Sequence, residues 1–264
     1  MRAIAAGLSD VGRTREHNED RFILLPEFNV YVVADGMGGH QSGEVASRMA
    51  ASAIATYFRT DGERDAMMNP GQQLREALVD ANKKIHSRAD DSRVHRGMGT
   101  TAVAGVYSPD DRIFFVAHAG DSRCYLVRGT NIKQLTRDHS LIAEALLERP
   151  DLSEIDLSYL PKNVITRALG ISPTVDVDLC AERVQPNDVF LLCSDGLHGL
   201  VNDEQIATTV QRHRVLTDAC AELVHHANEA GGRDNITVVL VRIEPDEAPW
   251  SKPARESERG SGSP

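Results

Sequence analysis

The stretch "VYVVADGMGGHQSGE", from Val30 to Glu44, passes from an apolar run directly into an acid and a cluster of glycines. The run is rich in β-branched residues and predicts a buried strand that ends at Asp35. A carboxylate at such a place is costly unless it is solvated, hydrogen-bonded or bound to a metal. Gly36 has no side chain, so its carbonyl oxygen would be open to a nearby ion.

Two further apolar runs end at an acid in the same way. "VFLLCSDG" (189–196) ends at Asp195, and "FFVAHAGDS" (114–122) ends at Asp121, while Asp234 in "GGRDNITVVLV" stands at the entrance of the final predicted strand. Antiparallel strands place the end of one beside the start of its neighbour, so these acids can meet at one edge. Asp-Gly is also a common turn pair, which explains any single site, but four acids together favour a shared one. Oxygen ligands alone indicate Mg²⁺ or Mn²⁺ rather than zinc.

A polar segment near the start, "GRTREHNEDRF" (12–22), contains Arg15, Glu19 and Asp20. The planar fork of an arginine suits a phosphate oxyanion, and the two acids can join a metal shell directly or through water. A surface ion pair explains these residues equally well. The glycine cluster after Asp35 lacks the GK[ST] ending of a Walker loop, so a nucleotide loop is not favoured.

Composition restricts the possible partners and the cell compartment. The 264 residues carry a formal charge of −10, from 39 acids against 29 bases, which argues against binding to nucleic acid or to an anionic membrane surface. The four cysteines are widely separated without a CxxC pair, so they are expected to be reduced thiols. Neither a signal peptide nor a membrane span is predicted, and the expected location is the cytoplasm.

Strands in runs and helices in pairs predict an α+β layer structure with two sheets packed face to face and helices outside. Helices are expected from a cap at Ser42 to about Phe58, and over about 71–88, 203–211 and 217–230. The predicted strands are 3–8, 21–25, 29–34, 101–107, 112–118, 122–128, 174–182, 188–193 and 236–243.

One segment, residues 139–170, is long for a connection in a compact domain. It has a helical start, "SLIAEALLE", and then a polar stretch that contains proline. Such an insertion is either a substrate-facing loop or a plain surface loop. The domain is expected to span 1–243, and the tail 244–264 is predicted to be disordered, as the start of a linker or simply as an end.

In order along the chain, "REHNED", "VVADGMGGH", "GMGTTAV", "AHAGDSRCYL", "LTRDHSL", "VITRALG", "LLCSDGL" and "GGRDNITVV" resemble the metal-dependent (type 2C) protein serine/threonine phosphatases in their compact bacterial form. The resemblance covers roughly residues 5 to 242. It implies a four-layer αββα sandwich in which two antiparallel sheets are flanked by helix pairs, and hydrolysis of phosphoserine and phosphothreonine in proteins by a metal-bridged water.

The resemblance also implies roles for individual residues. Asp35 would bridge two Mn²⁺ or Mg²⁺ ions, and Arg15 would hold the phosphate, so these two are the predicted catalytic residues. Asp121 matches the ligand of a third, weaker metal. The remaining matches are the Gly36 carbonyl, Asp195 and Asp234 as ligands, and Glu19 and Asp20 as acids in or beside the shell.

Residues 139–170 fall where the family has its variable flap, and His139 is expected to cap or anchor it. Eukaryotic members often carry a histidine directly after the Asp-Gly pair, as a candidate general acid, whereas this chain has Met37 there. His40 or a metal-bound water are the alternatives for protonating the leaving group.

Three functions follow as hypotheses. The first is a monomeric phosphatase that opposes a bacterial Ser/Thr kinase by acting on the kinase and its substrates. The second is a catalytically inactive scaffold that binds phosphoproteins, against which the intact acids and Arg15 argue. The third is a two-metal hydrolase of small phosphate esters, whose chemistry would be identical.

Overall fold

Two antiparallel sheets form the centre of the molecule in a computed structural model that describes residues 1–38, 41–60, 68–91, 94–161 and 164–246. Sheet I has the spatial order β1 (Arg2–Asp10), β11 (Ile236–Glu244), β10 (Val189–Cys193), β7 (Arg123–Arg128) and β8 (Asn131–Gln134). Sheet II has the order β2 (Asp20–Leu25), β3 (Val30–Met37), β5 (Ala102–Ser108), β6 (Ile113–Ala119) and β9 (Asp178–Arg183), with the short β4 (Gly99–Thr100) beside β3.

Four longer helices cover the outer faces of the sheets. Helices α1 (Gln41–Thr60) and α2 (Pro70–Asp90) pack on sheet II, whereas α6 (Asp203–Arg212) and α7 (Leu216–Glu229) pack on sheet I. The start of α2 is fixed locally, because Asn69 and Gln72 form a reciprocal capping box around Pro70.

Three buried apolar clusters separate the layers. One lies between sheet II and α1 with α2, around Ile54, Leu78 and Val32. Another lies between sheet I and α6 with α7, and the third fills the space between the sheets, where Phe114 stacks on Phe190 with ring centroids 3.9 Å apart. Helices, two sheets and helices therefore form four layers, which confirms the predicted αββα sandwich.

The structure corrects several predicted boundaries. Helix α1 begins at Gln41, so Ser42 lies inside it, and the Ser42 hydroxyl donates to the Val94 carbonyl 3.3 Å away. The strand expected from residue 174 begins at Asp178, because the preceding chain turns past Asn82, whose amide donates to the carbonyls of residues 172 and 173. Strands β4 and β8 and the four-residue helix α5 (Asp195–His198) were not predicted, since each is too short to show periodicity.

Residues 139–170, called the flap below, contain two short helices, α3 (Leu141–Glu148) and α4 (Glu154–Ser158). Ser140 caps α3 by accepting a hydrogen bond from the Ala143 amide. Among the described ranges, no helix combines the length and the apolar character that crossing a bilayer requires. The predicted tail from residue 247 onward lies outside the described residues, as does His40.

Candidate metal centre

The acids that the sequence singles out are contributed by both sheets at one edge of the sandwich. Asp20 begins β2 and stands directly opposite Asp35 of β3 in the strand register. In sheet I, Asp195 follows β10 and Asp234 precedes β11, and these two strand ends are joined by a hydrogen bond from the Ser194 amide to the Thr237 carbonyl. The sandwich therefore brings together side chains more than 200 positions apart in the chain.

Asp20 is the most deeply buried acid of the group, with 1% of its surface exposed. The Ser194 hydroxyl donates to its Oδ2 at 2.7 Å, while its Oδ1 is buried and has no hydrogen-bond partner among the described residues. Burial, opposed by the Ser194 bond and reinforced by the charges of Asp195 and Asp234, raises the pKa of Asp20 to about 7.

The pKa values of the neighbouring acids are raised in the same way. Burial and the charges of four other aspartates raise the pKa of Asp35 well above its ordinary value. Burial and Asp234 raise the pKa of Asp195, although contact with Asp35 opposes the shift. Burial and Asp195 raise the pKa of Asp121 to about 7. These four aspartates and Asp234 thus form one repelling cluster.

Such a cluster is suited to divalent cations. Besides Asp20, both Asp121 and Asp195 have a buried Oδ1 without a partner among the residues that the structure describes. Carboxylates brought together at this cost are stabilised when a cation neutralises them, and hard oxygen ligands match Mg²⁺ or Mn²⁺. The donor set and its unpartnered oxygens therefore fit the ions that the sequence predicts.

Arg15 lies over the same edge and remains about half exposed, at 49% of its side chain. Its guanidinium donates to Asp234 Oδ2 at 2.7 Å. Burial lowers the pKa of Arg15, but Asp234, Glu19 and Asp35 together outweigh it and raise that pKa. The fork is exposed, charged and beside the acids, and a guanidinium of this kind has the chemistry to bind a phosphate group.

Glu19 directly precedes Asp20, and its carboxylate lies near the start of α1. A side chain at Gly43, near the start of α1, would lie 2.5 Å from a carboxylate oxygen of Glu19. The charge of Glu19 contributes to the raised pKa of Arg15, so this acid lies close to the same edge. Its place in or beside a metal shell stays a prediction.

Gly36 is required for packing at this edge. A side chain there would overlap the Gly43 carbonyl and would approach the Glu19 carbonyl oxygen to 2.6 Å. The bare backbone therefore lets β3, the Glu19 segment and α1 meet closely, which is a further reason for the glycine besides an open carbonyl. Met37, which stands where some relatives have a candidate acid, pairs with Gly99 of β4.

The main chain of Asp35 is held from both sides. Its carbonyl accepts from the Thr101 amide at 2.8 Å and from the Thr100 hydroxyl at 2.8 Å, and its own amide donates to the Thr101 hydroxyl at 3.1 Å. This fixes the residue that is predicted to bridge the ions.

The sequence did not reveal three residues that position the acids. Asn235 accepts from the Glu19 amide at 2.8 Å and donates to the carbonyls of Val11 and His17 at 2.9 Å each. Ser194 holds Asp20, as described above. His198 places its Nε2 3.1 Å from the Asp121 carbonyl, and burial lowers its pKa to about 4, so the neutral ring donates this bond. The sequence offers one local sign of these roles: Asn235 and Ser194 stand directly beside predicted metal ligands.

The chain is similar in sequence to known protein phosphatases. The family model described as "Protein phosphatase 2C" matches residues 5–149. The "Serine/threonine phosphatase stp" of Listeria welshimeri is 38% identical over 240 residues, which cover 88% of this chain and 93% of the relative. The "Protein phosphatase PhpP" of Streptococcus pneumoniae is 35% identical over 244 residues, which cover 91% of this chain and 98% of the relative.

Solved structures show the same likeness. The Mycobacterium tuberculosis serine/threonine phosphatase PstP/Ppp superposes with a TM-score of 0.82 at 30% identity and covers 93% of this chain and 100% of its own. A structure of the catalytic domain of the serine/threonine phosphatase PstP in complex with two manganese ions has a TM-score of 0.79 at 30% identity, covering 92% of this chain and 99% of its own.

Proposed function

The chain belongs to the protein phosphatase 2C family and is a metal-dependent serine/threonine protein phosphatase, and from this premise we propose which of its residues perform the reaction. Asp35, Asp195 and Asp234, with the Gly36 carbonyl, hold two Mn²⁺ or Mg²⁺ ions. Asp20 and Glu19 lie in or beside this shell, and Asp121 serves a possible third ion.

The observation that carries the proposal is the group of buried, unpartnered carboxylate oxygens on Asp20, Asp121 and Asp195. When bound, the two cations supply Lewis acidity, lowering the pKa of a water and neutralising the charge of the phosphoryl group. A hydrogen-bonded structural acid would have its oxygens satisfied by the protein. No described residue satisfies these oxygens, which supports ligands from outside the chain.

The protein itself supplies positioning. Arg15 exchanges part of its contact with Asp234 for the nonbridging oxygens of the phosphate, since its fork can hold a carboxylate and an oxyanion together. Thr100 and Thr101 hold the main chain of Asp35 through three hydrogen bonds. His40 and a metal-bound water stay the two proposed donors of the leaving-group proton, and His40 lies outside the described residues.

The substrates are phosphoserine and phosphothreonine proteins, and we propose that they include a bacterial Ser/Thr kinase and its targets, with the flap facing them. We also propose a cytoplasmic monomer; the four cysteines are free, and three of them are buried, which supports a reducing compartment. The alternative of a small-ester hydrolase makes the same chemical demands, so substrate comparison must decide it.

The test is phosphate release from a phosphothreonine peptide. We expect release with Mn²⁺, loss of release with EDTA, and recovery when Mn²⁺ is restored. Asp35→Asn and Asp195→Asn should each lower kcat by at least about 100-fold, in line with the removal of a metal ligand. Circular dichroism provides the control for folding. Full activity in EDTA, or in either folded variant, would contradict the two-metal proposal, and a preference for p-nitrophenyl phosphate would favour the small-ester alternative.

A further inference from the structure

The flap is clamped at its first residue to the turn that carries Asp121. His139 makes two hydrogen bonds with Gly120: its amide donates to the Gly120 carbonyl at 3.0 Å, and its Nδ1 accepts from the Gly120 amide at 3.1 Å. Gly120 has a φ of +115°, and a side chain there would lie 2.5 Å from Thr101, so this turn tolerates no other residue easily. The first residue of the flap is thus hydrogen-bonded to Gly120, which directly precedes the predicted metal ligand Asp121.

The other end of the flap is clamped beside Asp35. Leu169 and Thr100 exchange two main-chain hydrogen bonds, of 3.0 and 2.8 Å. The Thr100 hydroxyl in turn donates to the Asp35 carbonyl. Both ends of the flap are therefore hydrogen-bonded to residues that adjoin or contact the aspartates of the metal centre.

Asp178, the first residue of β9, joins these two ends. Its Oδ1 accepts from the Arg167 guanidinium at 2.9 Å, and its Oδ2 lies 3.3 Å from His139 Nε2. Arg167 belongs to the C-terminal part of the flap, whereas His139 begins it. We call the contact of Asp178 with Arg167 and His139 the Asp178 latch.

The protonation state of the latch follows from its hydrogen bonds. Because His139 Nδ1 accepts from the Gly120 amide, a neutral ring carries its proton on Nε2 and donates it to Asp178. Burial and the neighbouring His118, which stacks on it with ring centroids 4.7 Å apart, lower the pKa of His139 and keep it neutral. Arg167 is then the cation that balances Asp178.

A metal ion is the alternative occupant, since His118, His139 and Asp178 bring ligand-type atoms within 4.8 Å of one another. Two features oppose it. The Arg167 guanidinium already contacts both His139 and Asp178, and the two imidazoles are stacked at 10°, so their in-plane lone pairs do not converge on one point. The cluster is built as an ion pair with a buried histidine.

We propose that Asp178 is a positioning residue, which holds both ends of the flap and thereby sets how the flap meets a protein substrate. The inference rests on the proposed function, in which the flap faces the phosphoprotein. Asp178 touches none of the acids of the metal centre in the contacts described above. Its loss therefore affects binding of an extended substrate more than hydrolysis of a small ester.

The variant Asp178→Asn tests this, because it removes the charge with little change of shape. We expect the KM for a phosphothreonine peptide to rise about fivefold, the effect of losing an ion pair worth ~1 kcal/mol. The kcat and KM for p-nitrophenyl phosphate should stay within about twofold, the range of a surface substitution. Amide hydrogen exchange over 141–148 should become faster, since the flap loses an anchor.

Asp176→Asn is the matched control, because Asp176 is exposed and lies two residues away. It should leave both substrates and the exchange rates unchanged. An unchanged peptide KM in Asp178→Asn, or an equal loss on both substrates, would overturn the proposal. Failure of the wild-type protein to hydrolyse the ester with Mn²⁺ would instead contradict the proposed metal centre, so the two failures can be told apart.

Discussion

At the scale of single residues, Asp20 shows most clearly how the site is constructed. It is almost fully buried, one carboxylate oxygen is held by Ser194, and the other has no partner among the described side chains and main chain. A carboxyl group in this position resists ionisation, as its raised pKa of about 7 shows. The residue therefore couples protonation, metal binding and stability.

The first prediction concerns the pH dependence of stabilisation by Mn²⁺. The pKa values of Asp20 and Asp121 are about 7 in the folded, metal-free protein, against about 4 when unfolded. Protonation of these acids therefore stabilises the folded protein. The stabilisation is complete when the pH is below their pKa in the unfolded state, and it is lost as the pH rises through about 7. Mn²⁺ must displace these protons at low pH but relieves repulsion at high pH.

We expect the rise in Tm on adding Mn²⁺ to metal-free protein to be larger at about pH 7.5 than at about pH 5.5. One pKa unit corresponds to about 1.4 kcal/mol, or roughly 4 °C in Tm for a chain of this size. The rise in Tm on adding Mn²⁺ should therefore be larger by at least roughly 4 °C at the higher pH. Differential scanning calorimetry measures it. An equal rise at both pH values would contradict the account.

At the scale of elements, the strand ends determine where each ligand stands, and a single side chain joins two of them. Asn235, at the entrance of β11, binds the Glu19 amide and the carbonyls of Val11 and His17. It thus fixes the segment that connects β1 to β2 and carries Arg15. This segment contains no helix or strand over 11–19, and its shape depends on Asn235 together with the hydrogen bonds of the Arg13 and Thr14 amides to the Gly232 carbonyl.

The second prediction is therefore for Asn235→Ala. Three main-chain groups lose their partner, and we expect the free energy of unfolding to fall by about 3 kcal/mol. Mn²⁺ affinity, measured by titration calorimetry, should weaken about 10- to 100-fold, as for residues that orient metal ligands. Asn131→Ala, at an exposed position of β8, is the control and should change neither quantity. A destabilised variant that binds Mn²⁺ normally would show that Asn235 serves the fold alone.

The elements also show what the sequence could and could not predict. Asp35 and Asp195 were predictable because an apolar run that leads into Asp-Gly is a local pattern, although β3 continues past Asp35 to Met37. The contacts of the flap with Gly120 and Thr100 were not, since they join distant segments by main-chain hydrogen bonds that leave no periodic signal. For the same reason, Asn235 and His198 read as ordinary polar residues until the fold placed them beside the acids.

At the scale of the whole molecule, the metal centre lies across the seam of the sandwich. Sheet II provides Asp20 and Asp35, sheet I provides Asp195 and Asp234, and Asp121 stands in the turn that passes from one sheet to the other. The apolar cluster between the sheets holds the two halves together, and the bound ions would join them a second time at the edge.

The order of the layers was predictable from element types, whereas the pairing of the strands required the structure. The domain boundary near 243 stays a prediction.

We propose that this edge binds two ions through a shared Asp35. Calorimetric titration of the metal-free protein with Mn²⁺ tests it most directly, with Asp35→Asn compared under the same conditions. The account predicts two ions bound per wild-type chain, with any third ion weaker. It predicts that both are weakened at least about 100-fold in a folded Asp35→Asn protein, since one residue serves both. Two ions bound to that variant with wild-type affinity would contradict it.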